Sequence, residues 1–174
     1  MNNVDRLMWE LGFTEDQVFE RLMEVIWEVS YCEGEWMADL VSGNIAFGSA
    51  LHGWGFTLGM VAERVAERVE MDRDEVLEVL WGDVLLDRQG ESDFEGRSQG
   101  SRSRDMIKRN FCKMIVRPLM KVYKTCLSED CCLEDVKGLC AGLGIELTHS
   151  DMELTGKMLI SCILSSWIPL KDAF

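Results

Sequence analysis

Phe47-Gly48-Ser49-Ala50-Leu51-His52-Gly53-Trp54-Gly55-Phe56-Thr57-Leu58 is the stretch on which the reading of this chain turns. It opens on the end of Asn44-Ile45-Ala46-Phe47, a short apolar run bounded by Gly43 and Gly48, which reads as a buried strand. It closes on Thr57, whose hydroxyl can cap a helix. In that helix Val61-Ala62-Glu63-Arg64 repeats at once as Val65-Ala66-Glu67-Arg68, keeping an apolar stripe. A buried strand followed by an amphipathic helix is the local mark of an α/β protein.

Working outward, the rest is mostly helical. Upstream, Thr14 and Gln17 have capping-box spacing, and Val18, Phe19, Leu22, Val25, Ile26 and Val29 then recur at helical period, up to about Tyr31 before Gly34. Downstream, Asp74 opens a short helix through Val76, Leu77, Val79, Leu80 and Trp81, stopped by Gly82. Val84, Leu85 and Leu86 read as a short strand. Residues 87–104, rich in Gly, Ser, Arg and Asp, bury too little to fix one conformation and read as a mobile loop. Met106, Ile107, Phe111, Met114 and Ile115 mark the inner face of the next helix, which Pro118 should kink or restart. Two further helices are expected at about 133–143, ended by Gly144, and 151–167, capped by Ser150. After Pro169, residues 170–174 look like one helical turn.

With 174 residues, the chain is long enough for one domain, or one domain with a small inserted subdomain. Its net charge of -13 argues against general nucleic-acid binding. The charge is uneven: nine of the eighteen basic residues lie between Arg97 and Lys124, with Asp105 the one acid among them. Seven cysteines, an odd count, and no secretory pattern at the N-terminus point to reduced thiols and a cytoplasmic protein. No apolar run is long enough to predict a membrane span.

Three stretches in order resemble the elongation factor 2 group of translational GTPases. Asn2-Asn3-Val4-Asp5-Arg6 is similar to the guanine-specificity motif Asn-Lys-x-Asp followed by Arg. Residues 47–58 resemble the segment bearing the group's last guanine-contacting loop, and Leu80-Trp81-Gly82-Asp83 is matched in its inserted subdomain. Weaker similarity runs through Phe111 to Tyr123 and at Trp167-Ile168-Pro169-Leu170, so it spans nearly the whole chain. His52-Gly53-Trp54 resembles elongation factor 2 proper. Asp5-Arg6-Leu7, Glu10-Leu11, Phe13-Thr14 and Trp54-Gly55-Phe56 look more like the relative that releases an anti-association factor from the maturing large ribosomal subunit, and the balance tips slightly that way.

The resemblance implies a helix-rich α/β fold: the C-terminal portion of a P-loop GTPase-type domain (1–70 and 165–174) with a mostly helical inserted subdomain (71–164). It implies a guanine site in which Asp5 accepts two hydrogen bonds from N1 and the exocyclic amine. Asn2 would brace the neighbouring loop, Ser49 orient the specificity loop, the N–H near Ala50 donate to guanine O6, and Leu51 cover the base. Asn3 stands where the group has lysine, which weakens stacking. No phosphate loop, switch segment or magnesium-binding aspartate motif occurs. GTP or GDP is therefore the cofactor of the parent family, and this chain alone is expected to hold neither tightly and to hydrolyse nothing, with the phosphate-binding half preceding Asn2 or supplied by a partner. The inserted subdomain implies contact with the large subunit and its acidic, apolar stalk tails. Lys113, Arg117 and Lys121 would be the charged contacts, and Met114, Met120 and Tyr123 the apolar ones.

Plainer readings compete with each of these. Asn2 to Asp5 alone has turn composition. Cys126, Cys131, Cys132 and Cys140 lack Cys-x-x-Cys spacing, so no metal site is expected. His52 and His149 lack a nearby nucleophile or carboxylate constellation and receive no catalytic role. Trp54, Trp81 and Trp167 are expected in the core. The function classes left standing are three: a partial GTPase domain acting on the ribosome, a nucleotide-independent module binding stalk or large subunit, and a degenerate remnant.

Overall fold

The computed structural model describes residues 1–32, 45–81 and 110–173. The strand expected at 84–86, the loop expected at 87–104, Gly34, Gly43, Asn44, Gly82 and the basic residues from Arg97 to Arg109 lie outside the described residues. The rest is helix-rich with one small two-stranded sheet, a mixed α/β composition. The chain divides into two compact units, Met1–Phe13 with Ala46–Phe56 and Arg117–Phe174, and Thr14–Ile45 with Thr57–Val116. The division expected from the resemblance follows family position; these units follow packing and fall elsewhere.

In the second unit, α2 (Glu15–Cys32) starts where the capping box places it. Gln17 N–H donates to Thr14 Oγ1 at 3.3 Å, and Thr14 N–H donates to Gln17 Oε1 at 2.9 Å. Its buried face is Val18, Phe19, Leu22, Met23 and Ile26. Phe19 meets Phe111 edge to face at 5.4 Å, an arrangement worth about 0.5–1.5 kcal/mol beyond burial. Thr57 caps α3 (Leu58–Val69), accepting from Met60 N–H at 3.3 Å. Leu58, Val61, Ala62 and Ala66 form its buried stripe, and the helix packs on α4 (Arg73–Trp81) through Val76, Leu77 and Leu80. The residue capping α4 is Asp72, which accepts from Asp74 N–H at 2.8 Å, rather than the expected Asp74. Cys112–Val116 closes this unit as a single π-helical turn.

The first unit begins with a helix not expected from the sequence, α1 (Val4–Trp9), entered through Asn3 in the left-handed region at φ 63°. Asparagine tolerates that conformation better than most residues. The sheet corrects the expected strand at 44–47. β1 is Phe47–Ser49 and pairs antiparallel with β2 (Trp54–Phe56), matching Phe47 with Phe56, Gly48 with Gly55 and Ser49 with Trp54. Gly48 therefore lies inside the strand instead of bounding it. A Cβ on Gly48 would stand 2.5 Å from the Trp54 carbonyl oxygen and 2.9 Å from Gly55 Cα, so only glycine admits this approach.

Both sheet edges are used. Gly55 N–H donates to Ile168 O at 3.0 Å and Leu170 N–H to Gly53 O at 3.2 Å, which lays residues 168–170 along β2. On the other edge the Met1 amino group donates to Ala46 O while Gly48 N–H donates to Met1 O at 2.9 Å. One residue bonded to both neighbours of its partner is the parallel pattern. Met1 thus runs parallel to β1.

Helices α5 (Arg117–Leu127), α6 (Leu133–Leu143) and α7 (Gly156–Trp167) complete this unit. Pro118 sits in the first turn of α5, directly after the π-helical turn at 112–116, so the disruption expected at the proline takes the form of a change in helical bonding. Gly144 ends α6 at φ 71°, also as expected, and Cys132 with Asp135 forms a reciprocal cap at its start. The helix expected at 151–167 is divided. Asp151–Glu153 is a 3₁₀ turn, and α7 begins only at Gly156. Ser150 makes no cap bond. Thr148 Oγ1 instead accepts the Asp151 N–H at 3.3 Å, while its hydroxyl and N–H donate to Asp151 Oδ2 at 2.6 and 2.9 Å. Trp54, Phe47 and Phe56 lie in the core with Leu119, Val122, Leu139, Ile160, Ile163 and Leu164.

Candidate functional site

Three short-range consequences of the sheet build the site. First, Met1 alongside β1 brings Asn2 to the loop that follows β1. The Asn2 Oδ1 accepts the Ala50 N–H at 2.9 Å and the Asn3 N–H at 2.8 Å. Second, Ser49 is fully buried and its hydroxyl accepts the His52 N–H at 3.3 Å, closing the loop 50–53 on itself. Third, that closure turns Leu51 out, 71 % exposed, and His52 in, 6 % exposed. Asn2, Ser49, Ala50 and Leu51 are therefore gathered in one corner, with the Ala50 N–H held by the protein itself.

Beneath the corner lies a buried polar cluster. Asp5, in the first turn of α1, is 5 % exposed. Its Oδ2 is 3.7 Å from His52 Nδ1, and its Oδ1 has no hydrogen-bond partner. His52 Nδ1 is 2.8 Å from the Tyr123 hydroxyl, which also accepts the Trp54 Nε1–H at 3.1 Å. His52 Nε2 is likewise buried and unpartnered. Leaving a buried polar atom unpaired costs about 1–3 kcal/mol, so two such atoms in one cluster set this place apart from ordinary core.

Charge follows burial here. Burial lowers the His52 pKa below its ordinary 6.5; the Asp5 charge pulls it back up and Lys157 pushes it down, leaving the imidazole neutral at neutral pH. Burial also raises the Tyr123 hydroxyl well above its usual range, outweighing the Trp54 bond, with the Asp5 charge adding to the rise. Asp5 thus faces a neutral ring and a protonated phenol. Among the described residues the only ion-pair contact recorded for it is the uncharged His52.

No protein-family model matches the chain. The roles of these residues therefore rest on their own geometry.

The cluster was only partly legible. His52 has a carboxylate after all, Asp5, which approaches through the fold and not through sequence. Tyr123, expected as an exposed contact for a partner, is 2 % exposed and serves His52 and Trp54. One signal was available. Leu119, Val122, Tyr123 and Cys126 form the buried stripe of α5, and a phenol on such a stripe must find a polar partner.

Arg117, Lys121 and Lys124 occupy exposed positions at helical spacing on α5, and Lys113 is exposed in the π turn of the second unit. Met114 and Met120 are half-buried. Among the described residues no group of three or more His, Cys, Asp or Glu side chains is placed to hold a metal. Burial pushes the Cys126 thiol up to about 12, helped by Cys131 and Cys140, and raises Cys140 and Cys162 as well, so these thiols are weak nucleophiles. No helix among the described residues is long and apolar enough to cross a membrane.

Proposed function

We propose that Asn2, Asp5, Ser49, Ala50 and Leu51 form the base-reading corner of a guanine-nucleotide-binding domain. In this reading the parent protein is an elongation-factor-2-like GTPase acting on the ribosome, in elongation or large-subunit maturation. The observation that carries the reading is Asp5, a buried carboxylate with an unpartnered oxygen beside a corner tied together by Asn2. A carboxylate is acceptor-only, and guanine presents two adjacent N–H donors on N1 and its amine, whereas adenine presents no such pair.

The corner has marks of weak binding. Asn3 offers no long stem to lie over a base, and the Ala50 N–H must leave Asn2 before it can serve guanine O6. Without a phosphate loop, the corner supplies base discrimination and no hydrolysis. Titration of the ¹⁵N-labelled chain with GMP and AMP tests this. GMP should shift the amides of Asn2, Asp5, Ala50 and Leu51 with a dissociation constant of about 1 mM (roughly 4 kcal/mol), while AMP leaves them in place. Equal responses to both, or none to either, would reject the base-reading corner. Micromolar binding of labelled GTP would reject the view that phosphates go ungripped.

A second reading, a nucleotide-independent module for the ribosomal stalk or large subunit, is favoured by the exposed basic face of α5. Lys113→Glu, Arg117→Glu and Lys121→Glu together should reduce capture of stalk protein by about tenfold or more at low salt, with the difference shrinking as salt rises. Unchanged capture would dismiss these residues as the contact.

A further inference from the structure

The buried ring of His52 anchors the loop 50–53, and the protons around it decide when that anchor holds. The Tyr123 oxygen accepts the Trp54 Nε1–H and lies 2.8 Å from His52 Nδ1. A neutral ring has two tautomers. With the proton on Nε2, that N–H is buried without an acceptor. With the proton on Nδ1, the ring donates to Tyr123 and the phenolic O–H is the group left over. Either tautomer strands one buried donor. A protonated ring strands two: Nε2–H meets nothing, and the phenolic proton has no other acceptor within hydrogen-bond reach. A positive charge is buried with them. The count is the same whichever tautomer the neutral ring adopts.

The groups facing the ring do not make up the difference. On α1, Asp5 Oδ2 stands 3.7 Å from Nδ1, too far for a hydrogen bond. On α5, the Tyr123 hydroxyl is kept protonated by burial and brings no charge. On α7, the Lys157 ammonium opposes a second cation. Burial outweighs the pull of Asp5, so the ring titrates below its ordinary 6.5. A group whose pKa falls on folding gives stability that is whole above the unfolded value and is lost as pH drops beneath it.

The way out for the ring is short. His52 lines a groove of about 320 Å³ together with Leu51 of its own loop and Lys157, Met158 and Ser161 of α7. The ties left to the loop once the ring goes are single hydrogen bonds, Ala50 N–H to Asn2, His52 N–H to Ser49 and Leu170 N–H to Gly53 O.

We propose that His52 is an acid-sensitive latch: uncharged, it stays buried against Tyr123 and holds the loop 50–53 closed, and on taking up a proton it leaves the cluster and frees Ala50 and Leu51 from the corner. The latch goes beyond the base-reading corner and stands whether or not that corner binds a base.

NMR of the full chain from pH 8 to 5 tests it without any ligand, with His149→Gln in every sample so that one imidazole remains. The His52 ring should take up its proton below pH 6.5. Hydrogen exchange at the Ala50 and His52 amides, corrected for its intrinsic pH dependence, should quicken by up to about tenfold per pH unit below that point. The Leu119 and Val122 amides of α5 should keep their protection. His52→Gln, which has no such proton to take up, should abolish the acid response of the loop. A ring that protonates at or above pH 6.5 overturns the proposal, and that measurement needs no variant to fold. Loop exchange that stays level on acidification does the same. So do α5 amides that open in step with the loop, since the whole unit would then be unfolding, and so does a folded His52→Gln chain that keeps the acid response.

Discussion

Asp5→Asn should abolish discrimination between GMP and AMP, weakening GMP by about tenfold or more, without lowering the stability of the chain. The two expectations come from one observation. An asparagine offers one acceptor and one donor, so it cannot take two parallel N–H donors, and the mismatch leaves a buried ligand donor unpaired. Folding is another matter. Asp5 is buried with Oδ1 unpartnered and an uncharged imidazole as its nearest basic group. Burying a neutral amide there is less costly than burying a carboxylate, and the new N–H can reach towards the His52 ring. A gain of about 1 kcal/mol, or roughly 2–4 °C in melting temperature, is expected. Side-by-side melting curves and GMP titrations decide it. A fall of several degrees would make Asp5 a structural residue, and retained GMP preference would move the base elsewhere.

Gly48→Ala should have the largest effect on stability of any single methyl added to the described residues of the sheet. The Cβ would stand 2.5 Å from a backbone carbonyl oxygen and 2.9 Å from Gly55 Cα, and neither can swing aside as a side-chain tip could. The strands must separate, which loosens the pairing of Phe47 with Phe56 and of Ser49 with Trp54, and with it the loop that presents Ala50 to Asn2. A loss of about 3 kcal/mol is expected in urea denaturation. Gly138→Ala, on an exposed turn of α6 where the added carbon meets nothing within 4 Å, is the control and should be neutral or stabilising by about 0.5–1 kcal/mol. A Gly48→Ala chain as stable as the control would mean the two strands do not approach this closely.

What could be read before the fold was known has a common character: it is local. The Thr14 and Gln17 cap, the Thr57 cap, the change of helical bonding before Pro118 and the glycine stop at Gly144 each involve groups within a turn of one another, so residue type and spacing suffice. The failures nearby were failures of competition. Ser150 was a sound cap by type, but the Asp151 N–H is taken by Thr148 Oγ1, and α7 starts only at Gly156. The apolar run at 44–47 looked like a strand because glycine was read as a boundary. Gly48 is instead the point of closest approach, a role fixed by its partner across the sheet.

By itself the sequence determined that this chain is helix-rich, where the caps of α2 and α3 fall, and which faces of those two helices turn inward, because burial at helical period is written along one segment. It also supplied the resemblance from which a guanine site was expected. Only the tertiary structure decided that His52 meets Tyr123 across 71 residues, that Trp54 meets it across 69, and that Asn2 holds Ala50 across 48. Those pairings depend on strand register and on which helix covers the sheet, properties of the whole packed unit that no single stretch encodes. The same is true of Asp5, an ordinary acidic residue by composition, made distinctive by having been buried without a full set of partners.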